Sequence, residues 1–90
     1  MTSLPAPFEV RVAKSAEKAL ASARRKDRAL LLAALAAMQA DPWSGDIARL
    51  KGQPTAWRRR VGSWRILFDV YADRRLVLIA AILRRTSTTY

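Results

Sequence analysis

Residues 57–68 read Trp57-Arg58-Arg59-Arg60-Val61-Gly62-Ser63-Trp64-Arg65-Ile66-Leu67-Phe68, and this stretch decides the fold. Two short runs with large apolar residues at their ends flank Gly62-Ser63, the two-residue connection expected of a β-hairpin. In the second run Trp64, Ile66, Phe68 and Val70 share one face of a strand, while Arg65, Leu67 and Asp69 share the other. The first set is the core face. The arginines make a poor core, but a rigid hairpin that displays guanidinium groups is well suited to hold an anion. Arginine is always charged, and its planar fork of donors matches phosphate oxygens.

Working outward, the turn at Ala72 to Arg74 leads into Arg75 to Leu83, continuously apolar from Leu76. Such a run fits a strand placed centrally in a sheet or covered on both faces. On the N-terminal side, Trp43 to Thr55 contains Ser44-Gly45, Gly52 and Pro54 and reads as a loop anchored by Leu50. Before it, Leu31, Ala34, Leu35 and Met38 recur at helical spacing, with Leu30 and Leu32 widening the stripe. Asp27 is placed to cap that helix, and Asp41-Pro42 to end it. An alanine-rich run from Ala16 to Arg25, with Ser15 as its cap, predicts a shorter helix, and Trp43 is expected to plug the end of the helical hairpin. Phe8, Val10 and Val12 alternate with Glu9 and Arg11, as in a strand with one buried face. The expected order is β-α-α-β-β-β, an α+β fold in which a helical hairpin packs on an antiparallel-rich sheet.

Ninety residues make one domain, 1–90, with no internal repeat. Seventeen lysines and arginines against seven acidic residues give a net charge of +10. That density favours a polyanionic partner, nucleic acid or an acidic protein segment, over a membrane surface. The chain has no cysteine and no histidine, which removes thiolate chemistry, the usual general base and the commonest metal ligand. Met1 to Pro7 lacks the basic start and apolar run of a signal peptide. Ala29 to Met38 is about half of the roughly 20 residues a membrane span needs. The expectation is a cytoplasmic protein with no membrane association, no metal and no small-molecule cofactor.

The order of elements, together with Leu50-Lys51-Gly52, Trp57-Arg58-Arg59-Arg60-Val61-Gly62 and Trp64-Arg65-Ile66-Leu67-Phe68, resembles the RelE/ParE family of toxins from bacterial toxin-antitoxin pairs. The family has an RNA-cleaving branch that acts on messenger RNA in the ribosome and a branch that inhibits DNA gyrase without nuclease activity. Resemblance to the first implies a catalytic set of Arg58, Arg60, Arg65, Arg84 and Tyr90, further RNA contacts from Lys51, Arg59 and Arg85, and a cognate antitoxin, the ribosome and messenger RNA as partners. In the best-known member, lysines stand at the positions of Arg58 and Arg60. The pairing of Arg84 with Tyr90 favours the RNA-cleaving branch, and a ParE-like gyrase inhibitor is the alternative.

The chemistry implied is attack of a 2′-hydroxyl on the adjacent phosphate. Arginines suit the stabilisation of charge on the phosphorane. They do not suit removal of the hydroxyl proton, because a group with a pKa above about 12 has almost no neutral form at pH 7. The candidates for that task are Tyr90, on condition that neighbouring arginines lower its pKa, and Asp69. Asp69 also reads as a salt-bridge partner of Arg65 or Arg84.

Overall fold

The computed structural model describes residues 7–85. Strand β1 (Glu9–Val12) is followed by helices α1 (Lys14–Ser22) and α2 (Arg25–Ala40) and by strands β2 (Asp46–Arg49), β3 (Trp57–Val61) and β4 (Trp64–Tyr71). A single 3-10 turn (Ala72–Arg74) then leads into β5 (Leu76–Arg84). The strands form one sheet in the order β1-β5-β4-β3-β2, antiparallel except for the β1/β5 pair. The parallel pair is joined through the two helices and the rest of the sheet.

The central hairpin follows the sequence closely. Gly62 has φ +58° and Ser63 does not share its positive φ, as a II′ turn requires, and the turn closes Val61 onto Trp64. Trp64, Ile66 and Phe68 from β4 and Val77, Ile79 and Ile82 from β5 meet Ala16, Ala23, Leu31, Ala34, Leu35 and Met38 from the helical layer. Ile66, Phe68, Val77, Ile79, Leu31 and Met38 are fully buried. Burying each such side chain stabilises the fold by roughly 1.5–3 kcal/mol before entropy is counted.

Several expectations change. Residues 46–49 form a strand inside the segment read as a loop, because β3 offers a free edge and Asp46, Ile47, Ala48 and Arg49 pair with Arg60, Arg59, Arg58 and Trp57. The order is therefore β-α-α-β-β-β-β. Neither predicted cap acts as one: α1 is preceded by Ala13 and α2 by Arg24, with no side-chain cap at either. Ser15 lies inside α1 and donates its hydroxyl to the Ala80 carbonyl at 3.2 Å. Ala80 is the extra residue of a bulge, since Leu67 pairs with Ala81 while Phe68 pairs with Ile79. Asp27 sits in the first turn of α2, where its charge suits the helix dipole.

Leu30 and Leu32 face away from the core, 49% and 51% exposed. Trp43 does not plug the hairpin; it stands edge-on to Trp57 with ring centroids 5.0 Å apart and stays 45% exposed. Strand β5 is interior to the sheet as expected, but among the described residues no element covers its second face, and Leu83 is 48% exposed.

Candidate functional site

Directly paired residues on adjacent strands point to the same face of a sheet. Arg60 pairs with Asp46 on one side and with Arg65 on the other, and Arg65 pairs with Leu83. Arg58 pairs with Ala48 and Leu67, and Leu67 with Ala81. These two rows lie on the face opposite Ile66 and Phe68, and among the described residues no helix covers them. Arg58, Arg60 and Arg65 therefore converge on one open surface of β3 and β4.

Asp46 is the one carboxylate in these rows. Its side chain accepts from Arg58 Nη1 at 3.4 Å and lies 4.0 Å from Arg60 Nε. Three guanidiniums against one exposed carboxylate leave a net positive patch, and an exposed pair of this kind is worth only about 0–1 kcal/mol, so an incoming phosphate can displace it. Arg58 is the most enclosed of the pair, its side chain 19% exposed against 42% for Arg60. Among the described residues Arg65 has no carboxylate within ion-pair distance.

The other expected residues are placed differently. Arg59 lies on the helix-side face, paired with Ile47 and Ile66. Its Nη1 donates to the carbonyl and hydroxyl oxygens of Ser44, both at 3.2 Å. Gly45, at φ +82°, makes room for it, because a Cβ there would stand 2.7 Å from the guanidinium carbon. Arg59 thus fastens the segment before β2. Arg84 pairs with Trp64 and holds its guanidinium 5.6 Å from that ring's centroid, on the helix-side face. Arg85 is exposed just past β5, and its amide donates to the Ser63 carbonyl at 2.6 Å. Lys51 is exposed in the β2–β3 connection. Tyr90 lies outside the described residues.

Asp69 pairs with neither Arg65 nor Arg84 in a salt bridge. Its Oδ1 accepts the Ala56 amide at 2.8 Å and so holds the end of the β2–β3 connection against β4. Among the described residues no three carboxylates are grouped as a metal site would need. The residue that sequence reasoning missed is Asp46. The turn signal Ser44-Gly45 followed by alternating Asp-Ile-Ala-Arg was the trace of its strand.

The architecture can be compared with known structures. An archaeal RelE–RelB complex from Pyrococcus horikoshii superposes with a TM-score of 0.78 over 91% of this chain and 99% of that one, at 21% identity. The fold is that of the RelE toxins. A RelBE toxin–antitoxin complex from Mycobacterium tuberculosis gives 0.75 over 88% of this chain and 99% of that one at 20% identity. The isolated Escherichia coli RelE toxin gives 0.74 over 90% and 87% at 14% identity. No protein-family model and no curated protein sequence matches the chain. Likeness to RelE is therefore a likeness of fold, and on this RelE-type fold the arginine face occupies the open side of β3 and β4.

Proposed function

We propose that this chain is the toxin of a type II toxin–antitoxin pair, a metal-independent endoribonuclease that cuts messenger RNA on the ribosome. The observation that carries the reading is the hairpin register, which gathers Arg58, Arg60 and Arg65 on one uncovered face of a RelE-type fold. In the proposed reaction the 2′-oxygen bonds to phosphorus, the bond to the 5′-oxygen breaks, and a 2′,3′-cyclic phosphate and a 5′-hydroxyl result. The three guanidiniums hold the phosphate and stabilise the charge that grows on its oxygens. Loss of one donor of this kind commonly costs about 3–4 kcal/mol of transition-state stabilisation.

We assign acceptance of the 2′-hydroxyl proton to Tyr90, a reading supported by the bond that one oxygen of the alternative, Asp69, makes to the Ala56 amide, and the departing 5′-oxygen takes its proton from water. The matched structures from P. horikoshii and M. tuberculosis are a RelE–RelB complex and a RelBE toxin–antitoxin complex, and a net charge of +10 suits an acidic antitoxin here as well as RNA. No helix among the described residues is long and apolar enough to cross a membrane, and the proposed site of action is the cytoplasm.

Expression in bacteria with pulse labelling tests the reading. Methionine incorporation should stop before thymidine incorporation, and Arg65→Ala should restore both growth and methionine labelling. Thymidine incorporation failing first would point to gyrase and remove the ribonuclease reading.

A further inference from the structure

Two adjacent arginines end the described chain, and only one of them can share the face of Arg60 and Arg65. Pairing between β4 and β5 runs Arg65 with Leu83 and Trp64 with Arg84. The Arg85 amide bond to the Ser63 carbonyl continues that register by one further pair, Ser63 with Arg85. Successive residues of a strand alternate between faces. Arg84 therefore falls with Trp64 on the helix side, where its guanidinium lies against the Trp64 ring at 5.6 Å. Arg85 falls with Leu83 on the arginine side, diagonal to Arg65, a relation that sets backbones roughly 7–8 Å apart and within reach of long side chains.

We propose that Arg85, rather than Arg84, completes the phosphate-binding face begun by Arg60 and Arg65, and that Arg84 serves to cover Trp64. This assignment rests on the ribonuclease reading, and it departs from the carry-over that sequence resemblance gives. Arg85 is exposed and has no carboxylate partner among the described residues, so its charge is available to a ligand. Trp64 is 8% exposed and its ring nitrogen has no hydrogen-bond partner among the described residues. A cation over that ring is a packing contact of the cation–π type, and it draws Arg84 away from the opposite surface.

The test uses the full chain and a labelled, fully 2′-O-methylated RNA oligonucleotide, which can bind but cannot be cleaved. Anisotropy is followed across a KCl series beside single-turnover cleavage of messenger RNA on ribosomes. Arg85→Ala should lower the log–log salt slope by about 0.7, the value for one phosphate contact on single-stranded RNA, and slow cleavage at least ~100-fold. Arg85→Lys should recover the slope but only part of the rate, since lysine keeps the charge and loses the fork. Arg84→Ala should leave the slope as it is and lower Tm by a few degrees.

If the wild type binds and cleaves while Arg84→Ala takes the slope and Arg85→Ala does not, the assignment is overturned and the ribonuclease reading stands. A wild type that neither binds the oligonucleotide nor cuts the message overturns both.

Discussion

Asp69 illustrates how a residue's role is set by what reaches it. It lies on the arginine side of β4, yet its carboxylate oxygen accepts the Ala56 amide at 2.8 Å, so it holds backbone rather than balancing a guanidinium. Asp69→Ala would leave that part-buried amide without a partner, a loss of about 1–3 kcal/mol. Urea unfolding should show it as a lower midpoint with an unchanged slope; an unchanged midpoint would mean that water replaces the carboxylate without penalty. Arg59 is the same lesson with the sign of the charge reversed. It stands between Arg58 and Arg60 in sequence, but alternation turns it to the other face, where Ser44 and the bare Gly45 receive it. An unbroken run of three arginines thus divides into two that face the open surface and one that fastens the chain. The alternation was legible in the sequence, whereas the partner of each side chain was not, because it comes from a segment 12 residues away for Arg58 and 15 for Arg59.

At the scale of elements, the sequence was most informative where pattern and burial coincide. The β4 alternation of Trp64, Ile66 and Phe68 and the α2 stripe of Leu31, Leu35 and Met38 are the core, because period-two and helical spacing each leave one apolar face to bury. Strand β2 escaped because its four residues carry one large apolar side chain, and the edge of β3 supplies the reason to be extended. The expected N-caps are absent, and the side-chain contact that does secure the helical turn lies at the other end of α1. Arg28 of α2 donates to the carbonyls of Leu20, Ala21 and Ala23 at 3.0, 2.9 and 3.0 Å. It adds donors to the carbonyls at the end of α1, of which Leu20 also accepts the Ala23 amide at 3.3 Å, and ties the two helices together. Arg28→Met keeps the apolar stem and loses the three donors, and is expected to destabilise the chain by about 1–3 kcal/mol. Thermal unfolding followed by circular dichroism reads this as a lower Tm, and a Tm equal to wild type would show that the helical turn holds without the arginine.

For the whole molecule, the fold gives the two faces of its sheet opposite characters. The helices bury one side of the sheet, and the charge that cannot enter a core gathers on the other, where Arg58, Arg60 and Arg65 meet across β3 and β4. The register that joins them could not be read from sequence, since it depends on the turn at Gly62 and the pairing of two strands; parity alone placed each arginine on its own strand face. A net charge of +10 acts at longer range, raising the encounter rate with a polyanionic partner in a salt-dependent way. The central claim is that this open arginine face cleaves messenger RNA on the ribosome. Primer extension on a reporter message in a purified translation system tests it most directly, comparing wild type, Arg65→Ala and a reaction without ribosomes. The account predicts cuts in the wild-type lane that need ribosomes and fall ~100-fold or more with Arg65→Ala; intact message in every lane, or cuts that survive Arg65→Ala, would contradict it.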